Sequence, residues 1–383
     1  MICCMRCMKE GKRMARKPTV YDVAREADVS IATVSRVLRT PEKVRPETRQ
    51  TVLKAINLLG YLPSGSARSL AARRTNTIGL FLPNIDQLDQ ISDFELVTED
   101  AADIVVDPPH AQENNSDSLY FDEVLRGCEL ESWRQGLSLM VSIGLKGKDG
   151  DIPQLINSMS EKVDGLIVLA RSVPDNVLAF LRKRLPVVII ANATISQESE
   201  FDLVRVSNRK GMYTLVRHLF EKHQVRRMAY IAGTDDSPDN GKRYEGFCEG
   251  LRSEGLEPSA SPIYRGQFSQ SVAYQIATSL ARQGTLPQAL VCANDQMALG
   301  VLRALSDAGI SVPDQVIVTG FDGIKEAAVS QPRLTTVRQP MVDLGRAAVS
   351  TLVRRLGSPE DPPISTELPV KVQLRESCEG TMI

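Results

Sequence analysis

Residues 19–38 read TVYDVAREADVSIATVSRVL, a stretch that fits two short helices around a tight turn and little else. Thr19 followed three residues later by Asp22 is a capping box, which satisfies free backbone N–H groups at a helix start. Val23, Ala24 and Ala27 recur at helical spacing and form one apolar face. Asp28 falls at the turn, where Gly, Asn and Asp best tolerate left-handed backbone. Ser30 is placed to cap a second helix that turns Val34, Val37 and Leu38 inward. The opposite face carries Ile31, Ala32, Thr33, Ser35 and Arg36. Small residues let a helix approach closely, hydroxyls reach phosphates, and an arginine can hydrogen-bond guanine twice. That mixture suits a helix lodged in a DNA major groove; an ordinary helical hairpin is the plainer alternative.

Charge is divided unevenly along the chain. The whole is near neutral, with 46 Lys and Arg against 47 Asp and Glu. Residues 1–74 carry 16 basic and 6 acidic side chains, a balance of +10, and the remaining 309 carry 30 and 41, a balance of −11. A small basic module on an acidic body assigns contact with a polyanion to the module alone. Neutralising DNA phosphates releases counterions, so such binding weakens steeply with salt. A membrane-surface or RNA patch would need a cationic helix with bulky apolar residues, or aromatic base-stacking positions. The segment has neither.

These residues, continued by VRPETRQTVLKAINLLGYLPSGSARSLAARRTNTIGLFLP over 44–83, resemble the LacI/GalR (lactose/galactose repressor) family of bacterial transcription regulators. The resemblance covers, in order, a helix-turn-helix, a third helix, a hinge and the first strand of an effector-binding core. The resemblance of the core continues through LPVKVQLRESC near the end. It implies that Ile31 and Ala32 face bases, that Arg36 reaches a base edge, and that Tyr21, Ser30, Thr33 and Ser35 mainly hold the phosphate backbone. Helix three is expected from about Pro46 to Leu59, with Val52, Ile56 and Leu59 on one face and Gly60 as its stop. The family usually caps this helix with Ser or Thr. Arg45 stands here instead, which forfeits a cap worth about 1 kcal/mol and offers a phosphate contact. The hinge, Ser64 to Ala72, is too short for a stable isolated helix, so it is expected to order when two copies pair on DNA. By the resemblance Ala67 and Leu70 touch DNA there, Leu70 as a wedge in the minor groove. Without it, the segment reads as a flexible linker.

At 383 residues the chain exceeds one typical domain, and 42% hydrophobic content is ample for a core. No run approaches the roughly 18 apolar residues of a membrane span, and MICCMRCMKEGKR lacks the apolar stretch of a secretory signal. Seven scattered cysteines are an odd number for a disulfide framework and favour a reducing cytoplasm. Cys3, Cys4 and Cys7 have no fourth ligand nearby, so neither a metal nor a cofactor is expected. Residues 1–17 read as an extension, with Met14 the expected translation start.

From Thr75 onward, short β-branched or Leu-rich runs alternate with amphipathic segments. Strands are expected at 78–83, 137–143, 164–170 and 186–192, then at 228–233, 289–295 and 316–322. Helices are expected at 121–135, 153–162, 209–222, 241–255, 270–283, 296–308 and 341–356. Such alternation means parallel sheets covered by helices on both faces. Two sets of strands mean two lobes, and ligands bind beyond the carboxyl ends of strands in such sheets. The expected fold class is therefore a small all-α helix-turn-helix domain plus a two-lobed α/β domain, which the resemblance makes periplasmic-binding-protein-like. The expected boundaries are 18–63 for the head, 64–74 for hinge and linker, and 75–378 for the core. Within the core, 75–206 and about 336–367 make the first lobe, 207–335 the second, and 368–378 a C-terminal strand.

A cleft for a sugar or nucleobase needs charged hydrogen-bonding groups and an apolar ring. The resemblance assigns the polar contacts to Arg243 in KRYEGF, Asn294 in CANDQMALG and Asp322 in TGFDG. It assigns apolar stacking to Phe268 in GQFSQS and to Tyr120 and Phe121. By residue habit alone, Asp322 is as readily a helix cap, Phe268 a core residue and Arg243 half of a surface ion pair. Departures from the family bear on the ligand. An acidic insertion spans about 84–119, and from Thr75 through Leu125 there is no Lys or Arg against 12 Asp or Glu. It reads as a lid, a partner surface or a disordered loop, the last commonest for this composition, with DIVVD (103–107) a candidate edge strand. Ser207 stands where the family usually has Asp, and HQVRRM (223–228) replaces its usual Gly-His start.

The expectation is a homodimeric, cytoplasmic, DNA-binding regulator of the repressing kind, with no catalytic residues. Its partners would be a pseudo-palindromic operator and a sugar-like or nucleoside-like effector. The competing classes are a cytoplasmic enzyme acting on a sugar or nucleotide, and a solute-binding protein for transport. Only His110, His218 and His223 are present, and no G-x-S-x-G elbow, phosphate-binding glycine loop or zinc-ligand spacing occurs. The basic head opposes the transport reading.

Overall fold

The computed structural model describes residues 18–61, 74–86, 119–145, 152–169, 172–191 and 200–379. The chain divides into two units between Thr75 and Asn76. In the first, α1 (Val20–Glu26), α2 (Ile31–Arg39) and α3 (Pro46–Leu59) enclose a core of Val23, Ala24, Ala27, Val34, Val37, Val52, Ala55 and Tyr61. Local chemistry sets their ends. The Asp22 carboxylate accepts from the Thr19 N–H at 2.8 Å and from its hydroxyl at 2.7 Å. Thr33 N–H donates to Ser30 Oγ at 3.1 Å, which starts α2. Between the helices Asp28 takes φ 51°, and Gly60 stops α3 at φ 62°. Arg45 precedes α3 and makes no side-chain cap, so Pro46 opens that helix instead.

In the second unit the strands are β1 (Thr77–Asp86), β2 (Ser138–Leu145), β3 (Gly165–Leu169), β4 (Val187–Ile190), β5 (Asp202–Val206), β6 (Met228–Ala232), β7 (Ile263–Arg265), β8 (Ala289–Cys292), β9 (Ile317–Asp322), β10 (Thr335–Arg338), β11 (Ser365–Leu368) and β12 (Lys371–Gln373). The helices are α4 (Leu119–Arg134), α5 (Ile152–Ser160), α6 (Asp175–Leu181), α7 (Asn208–His223), α8 (Pro238–Ser253), α9 (Gln270–Gln283), α10 (Asp295–Asp307), α11 (Lys325–Val329), α12 (Met341–Gly357) and α13 (Glu376–Glu379). Among the described residues one sheet runs β11-β5-β4-β3-β1-β2, all parallel, and the other β12-β10-β9-β8-β6-β7, parallel except for β12 against β10. Strands β3, β4, β6 and β8 are buried along their whole length, as helices on both faces of a parallel sheet require.

Each of the seven expected core strands is present, with its ends within three residues of those expected. Strands β5, β7, β10 and β11 were not anticipated, because each has only three to five residues and several carry polar edges, whereas the C-terminal strand expected over 368–378 is present as the shorter β12. One boundary moves. Strand β10 pairs with β9, so Thr335–Arg338 belong to the second lobe, and the return to the first comes after Arg338 rather than at about 336. The described chain crosses between lobes after Val206, between Arg338 and Met341, and between Leu368 and Lys371. Residues 1–17, the hinge 64–73 and insertion residues 87–118, including DIVVD, lie outside the described residues.

Glycines set how closely the covering helices cross. A Cβ on Gly127 of α4 would stand 2.0 Å from the Val342 carbonyl oxygen, and one on Gly345 of α12 would stand 2.2 Å from that of Val124. Gly246 of α8 meets the Arg209 carbonyl of α7 in the same way, at 2.2 Å. Any larger residue would push the helix axes apart.

Candidate nucleic-acid interface and effector cleft

On α2 the structure separates two faces cleanly. Val34 and Val37 are buried and Leu38 is partly so, while Ile31, Ala32 and Arg36 are exposed. Thr33 and Ser35 flank the boundary, half-buried, and Ser30 lies exposed at the helix start with its hydroxyl 2.9 Å from that of Thr33. Tyr21, 67% exposed on α1, and Arg45, exposed before α3, make no core contact that would explain a tyrosine or an arginine there. All eight lie within the unit whose core anchors α2 through Val34 and Val37. Ala67 and Leu70 lie outside the described residues.

In the second unit, chemistry gathers beyond the carboxyl ends of the second sheet. Asp322 is the last residue of β9, with φ 121°, a strained conformation for a side chain other than glycine. Its Oδ1 lies 3.3 Å from Arg243 Nη1 of α8, and both side chains are at least nine-tenths buried. Arg243 is no surface ion pair and Asp322 no helix cap. The guanidinium also donates from Nε to Asn208 Oδ1 at 2.8 Å and from Nη1 to the Ala293 carbonyl at 2.6 Å, and it stacks 4.0 Å over the Phe321 ring. Gln339 holds the other partner: its Nε2 donates to Asp322 Oδ1 at 2.6 Å and its N–H to the Asp322 carbonyl at 2.9 Å. Asn208 opens α7 just after the first crossing between lobes, and Gln339 lies on the second. The buried pair is thus bonded to the first two of the three crossing segments.

Asp295 supports the turn behind it. Its Oδ2 accepts from the N–H groups of Gly323 at 2.7 Å and Ile324 at 3.0 Å, and its Oδ1 from Thr336 Oγ1 at 2.5 Å. Burial raises the carboxyls of Asp295 and Asp322 above the usual range. The charge of Asp322 adds to the rise at Asp295, whereas Arg243 opposes it at Asp322.

Tyr120 of α4 belongs to the first lobe, yet it feels the second. Burial, then the carboxylates of Asp239 and Asp322, push its hydroxyl well above the ordinary tyrosine range, and Arg243 pulls it back. Phe121 packs edge-on to Tyr120, ring centroids 5.3 Å apart. Phe268 follows β7 at φ 58°, with its ring over Gly233, where a Cβ would come within 2.1 Å of Cζ. It is partly buried against the core, so the core reading holds for one side of its ring. Asn294 caps α10, accepting from Met297 N–H at 3.0 Å. The structure therefore joins Arg243, Asp322 and Tyr120 electrostatically, while Phe268 and Asn294 hold separate strand ends. A cavity of about 640 Å³ lies alongside, lined by Asp122, Gly323, Arg338 and Gln339 among others, and none of the six expected effector residues lines it.

Asn208, Asp295 and Gln339 were missed from sequence. Asp295 had a signal, since it follows Asn294 in CAND after a buried strand. Asn208 and Gln339 had none, because each meets its partner only through the crossings between lobes.

A family description headed "Bacterial regulatory proteins, lacI family" matches residues 19–64, and one for a periplasmic binding protein-like domain matches residues 216–378. The HTH-type transcriptional repressor PurR of Haemophilus influenzae (strain PittEE) is 30% identical over 345 residues, 88% of this chain and 91% of its own. A solved complex of the transcriptional regulator CelR with cellobiose is 26% identical, with a TM-score of 0.65, over 94% of this chain and 99% of its own. The lac repressor dimer bound to operator and the anti-inducer ONPF shares the fold, with a TM-score of 0.77 and 23% identity over 95% of this chain and 99% of its own. With a two-faced α2 in a basic head, a two-lobed α/β core and full-length relatives of one kind, the chain belongs to the lacI family of bacterial regulatory proteins and is a DNA-binding transcriptional regulator.

Proposed function

We propose that the protein is a homodimeric, cytoplasmic repressor, without enzymatic activity, that sets α2 into successive major grooves of a pseudo-palindromic operator. A small sugar-like or nucleoside-like effector in the cleft controls that grip. The observation that carries the DNA half is the division of α2: Ile31, Ala32 and Arg36 face outward while Val34 and Val37 anchor the helix from behind. Ile31, Ala32 and Arg36 read bases, and Tyr21, Ser30, Thr33, Ser35 and Arg45 hold phosphates. Trp133 and Leu130 on α4, with Val141 and Ile143 on edge strand β2, are exposed apolar side chains on neighbouring elements and support pairing of two first lobes.

The effector half rests on the Arg243–Asp322 pair. Hydroxyls of a sugar suit a charged donor beside a charged acceptor, with Tyr120, Phe121 and Phe268 to cover apolar faces and Asn294 to add an amide. A ligand that draws on Arg243 or Asp322 must alter their bonds to Asn208 and Gln339, which sit on the crossings between lobes. Effector occupancy is thereby converted into lobe geometry, with a coupling of about 1–3 kcal/mol. The cellobiose bound to CelR supports a saccharide as the first class to test. Gel-shift selection of genomic fragments, followed by titration with sugars, sugar phosphates and nucleosides, tests the reading. Specific retention of one fragment, altered by one such compound, is the expected result; no fragment preferred over bulk competitor would overturn it.

A further inference from the structure

At the opposite end of α7 from Asn208, four metal-binding side chains converge. His218 and His223 lie in the last two turns of α7, and Cys378 and Glu379 close α13. Glu379 Oε1 lies 2.8 Å from His218 Nε2 and 3.1 Å from His223 Nε2, and Cys378 Sγ lies 3.2 Å from His223 Nε2. All four donor atoms fall within 4.8 Å of one another. Tetrahedral Zn²⁺, with bonds of about 2.0–2.3 Å, needs donors separated by roughly 3.2–3.8 Å. The observed spacings bracket that range. Small rotations of exposed-edge side chains close the difference, since His218, His223 and Glu379 are 17–26% exposed while Cys378 is buried.

We infer that His218, His223, Cys378 and Glu379 form a structural site for a borderline-soft divalent transition ion, Zn²⁺ foremost. The donor set decides the class: two imidazoles and a thiolate favour Zn²⁺ over the oxygen-seeking Mg²⁺ and Ca²⁺. Four protein ligands complete a tetrahedron and leave no open position for catalysis. The place favours a cation too, because His223 ends a 16-residue helix whose carbonyl end carries partial negative charge. As hydrogen-bonding groups alone the four are poorly matched. The conflict is at His223 Nε2, which faces both Glu379 Oε1 and Cys378 Sγ and has at most a single hydrogen for the two. On binding, the Cys378 thiol releases its proton to solvent and the imidazoles bind as neutral donors.

The ion would fasten α13 to α7. Ser377, beside Cys378, already donates to the Val318 carbonyl at 2.6 Å and accepts from Thr335 N–H at 2.8 Å, so α13 lies against the middle of the second sheet. Cobalt(II) titration of the full chain, stripped with chelator, tests this. Cys3, Cys4 and Cys7 are changed to Ser in that protein to remove the other clustered thiols. The expected result is one equivalent of Co²⁺ per chain with intense tetrahedral d–d absorption and a thiolate charge-transfer band, both displaced by Zn²⁺, and a higher melting temperature with Zn²⁺ than with chelator. Cys378→Ser should lose the charge-transfer band. His218→Gln, at a partly exposed position that keeps the fold, should weaken affinity more than the roughly 10–100-fold typical of losing an outer partner of a metal ligand. Absence of the tetrahedral spectrum at one equivalent, or its persistence unchanged in both variants, overturns the site.

Discussion

Arg36 projects from α2 on the side away from Val34 and Val37, so its removal leaves the head's core intact. Arg36→Ala should therefore fold normally and lose discrimination. Competition gel shifts should show specific affinity reduced by about 1–3 kcal/mol, or roughly 5–150-fold, with binding to bulk DNA little changed. Asp322 is the converse case. Asp322→Ala should bind operator as the parent does and fail to respond to the effector in the same assay; a full response in this variant would sink its assignment to the cleft. Their legibility differs for a physical reason. Thr19, Asp22, Ser30 and Arg36 act through partners within one helical turn, or outward toward a partner molecule, so spacing alone exposes them. Asp322 meets Arg243 across 79 residues and Gln339 across 17, and only the resemblance, not its neighbours, pointed to it.

The pair α4 and α12 shows how an element can depend on a missing atom. With a Cβ on Gly127 held 2.0 Å from the Val342 oxygen, Gly127→Ala must separate the two helices, at a cost of about 1–3 kcal/mol. A lower melting temperature without loss of helical circular dichroism is the expected outcome. The same pair is joined by Glu131, whose carboxylate accepts from Arg134, Gln135 and, across to α12, from Ser350 at 3.0 Å. The hydrogen bond from Arg134 is the largest cause holding its carboxyl down at about 2, against the opposing effect of burial. A depressed acid stabilises the fold above its unfolded value, near 4.5, and that contribution disappears as pH falls through about 2. Glu131→Gln should hence melt below the parent at neutral pH, with the gap narrowing progressively below pH 4.5. A gap independent of pH would contradict the ionic account. The sequence foretold both helices from their periodicity, but not that two glycines and one acid would set their crossing.

At the scale of the whole molecule, the +10 balance of residues 1–74 makes operator binding electrolyte-sensitive. The logarithm of affinity should fall linearly with that of salt concentration, with a slope of about −0.9 for each phosphate neutralised. Arg45→Ala should reduce the slope by about 1 and weaken binding evenly across DNA sequences. A slope unchanged by that substitution would remove Arg45 from the interface. By itself the sequence determined the helices of the head, the longer strands of both sheets and the presence of two lobes. Each follows from hydrophobic period, caps and turn residues acting over short spans of chain. Tertiary structure alone decided which distant groups meet. It bound Arg243 and Asp322 to the crossings between lobes through Asn208 and Gln339, and it carried Cys378 and Glu379 back to His218 and His223 over about 160 residues. Such meetings depend on strand order and on where the chain changes sheets. Those are set by the packing of all the elements together, and no local spacing encodes them.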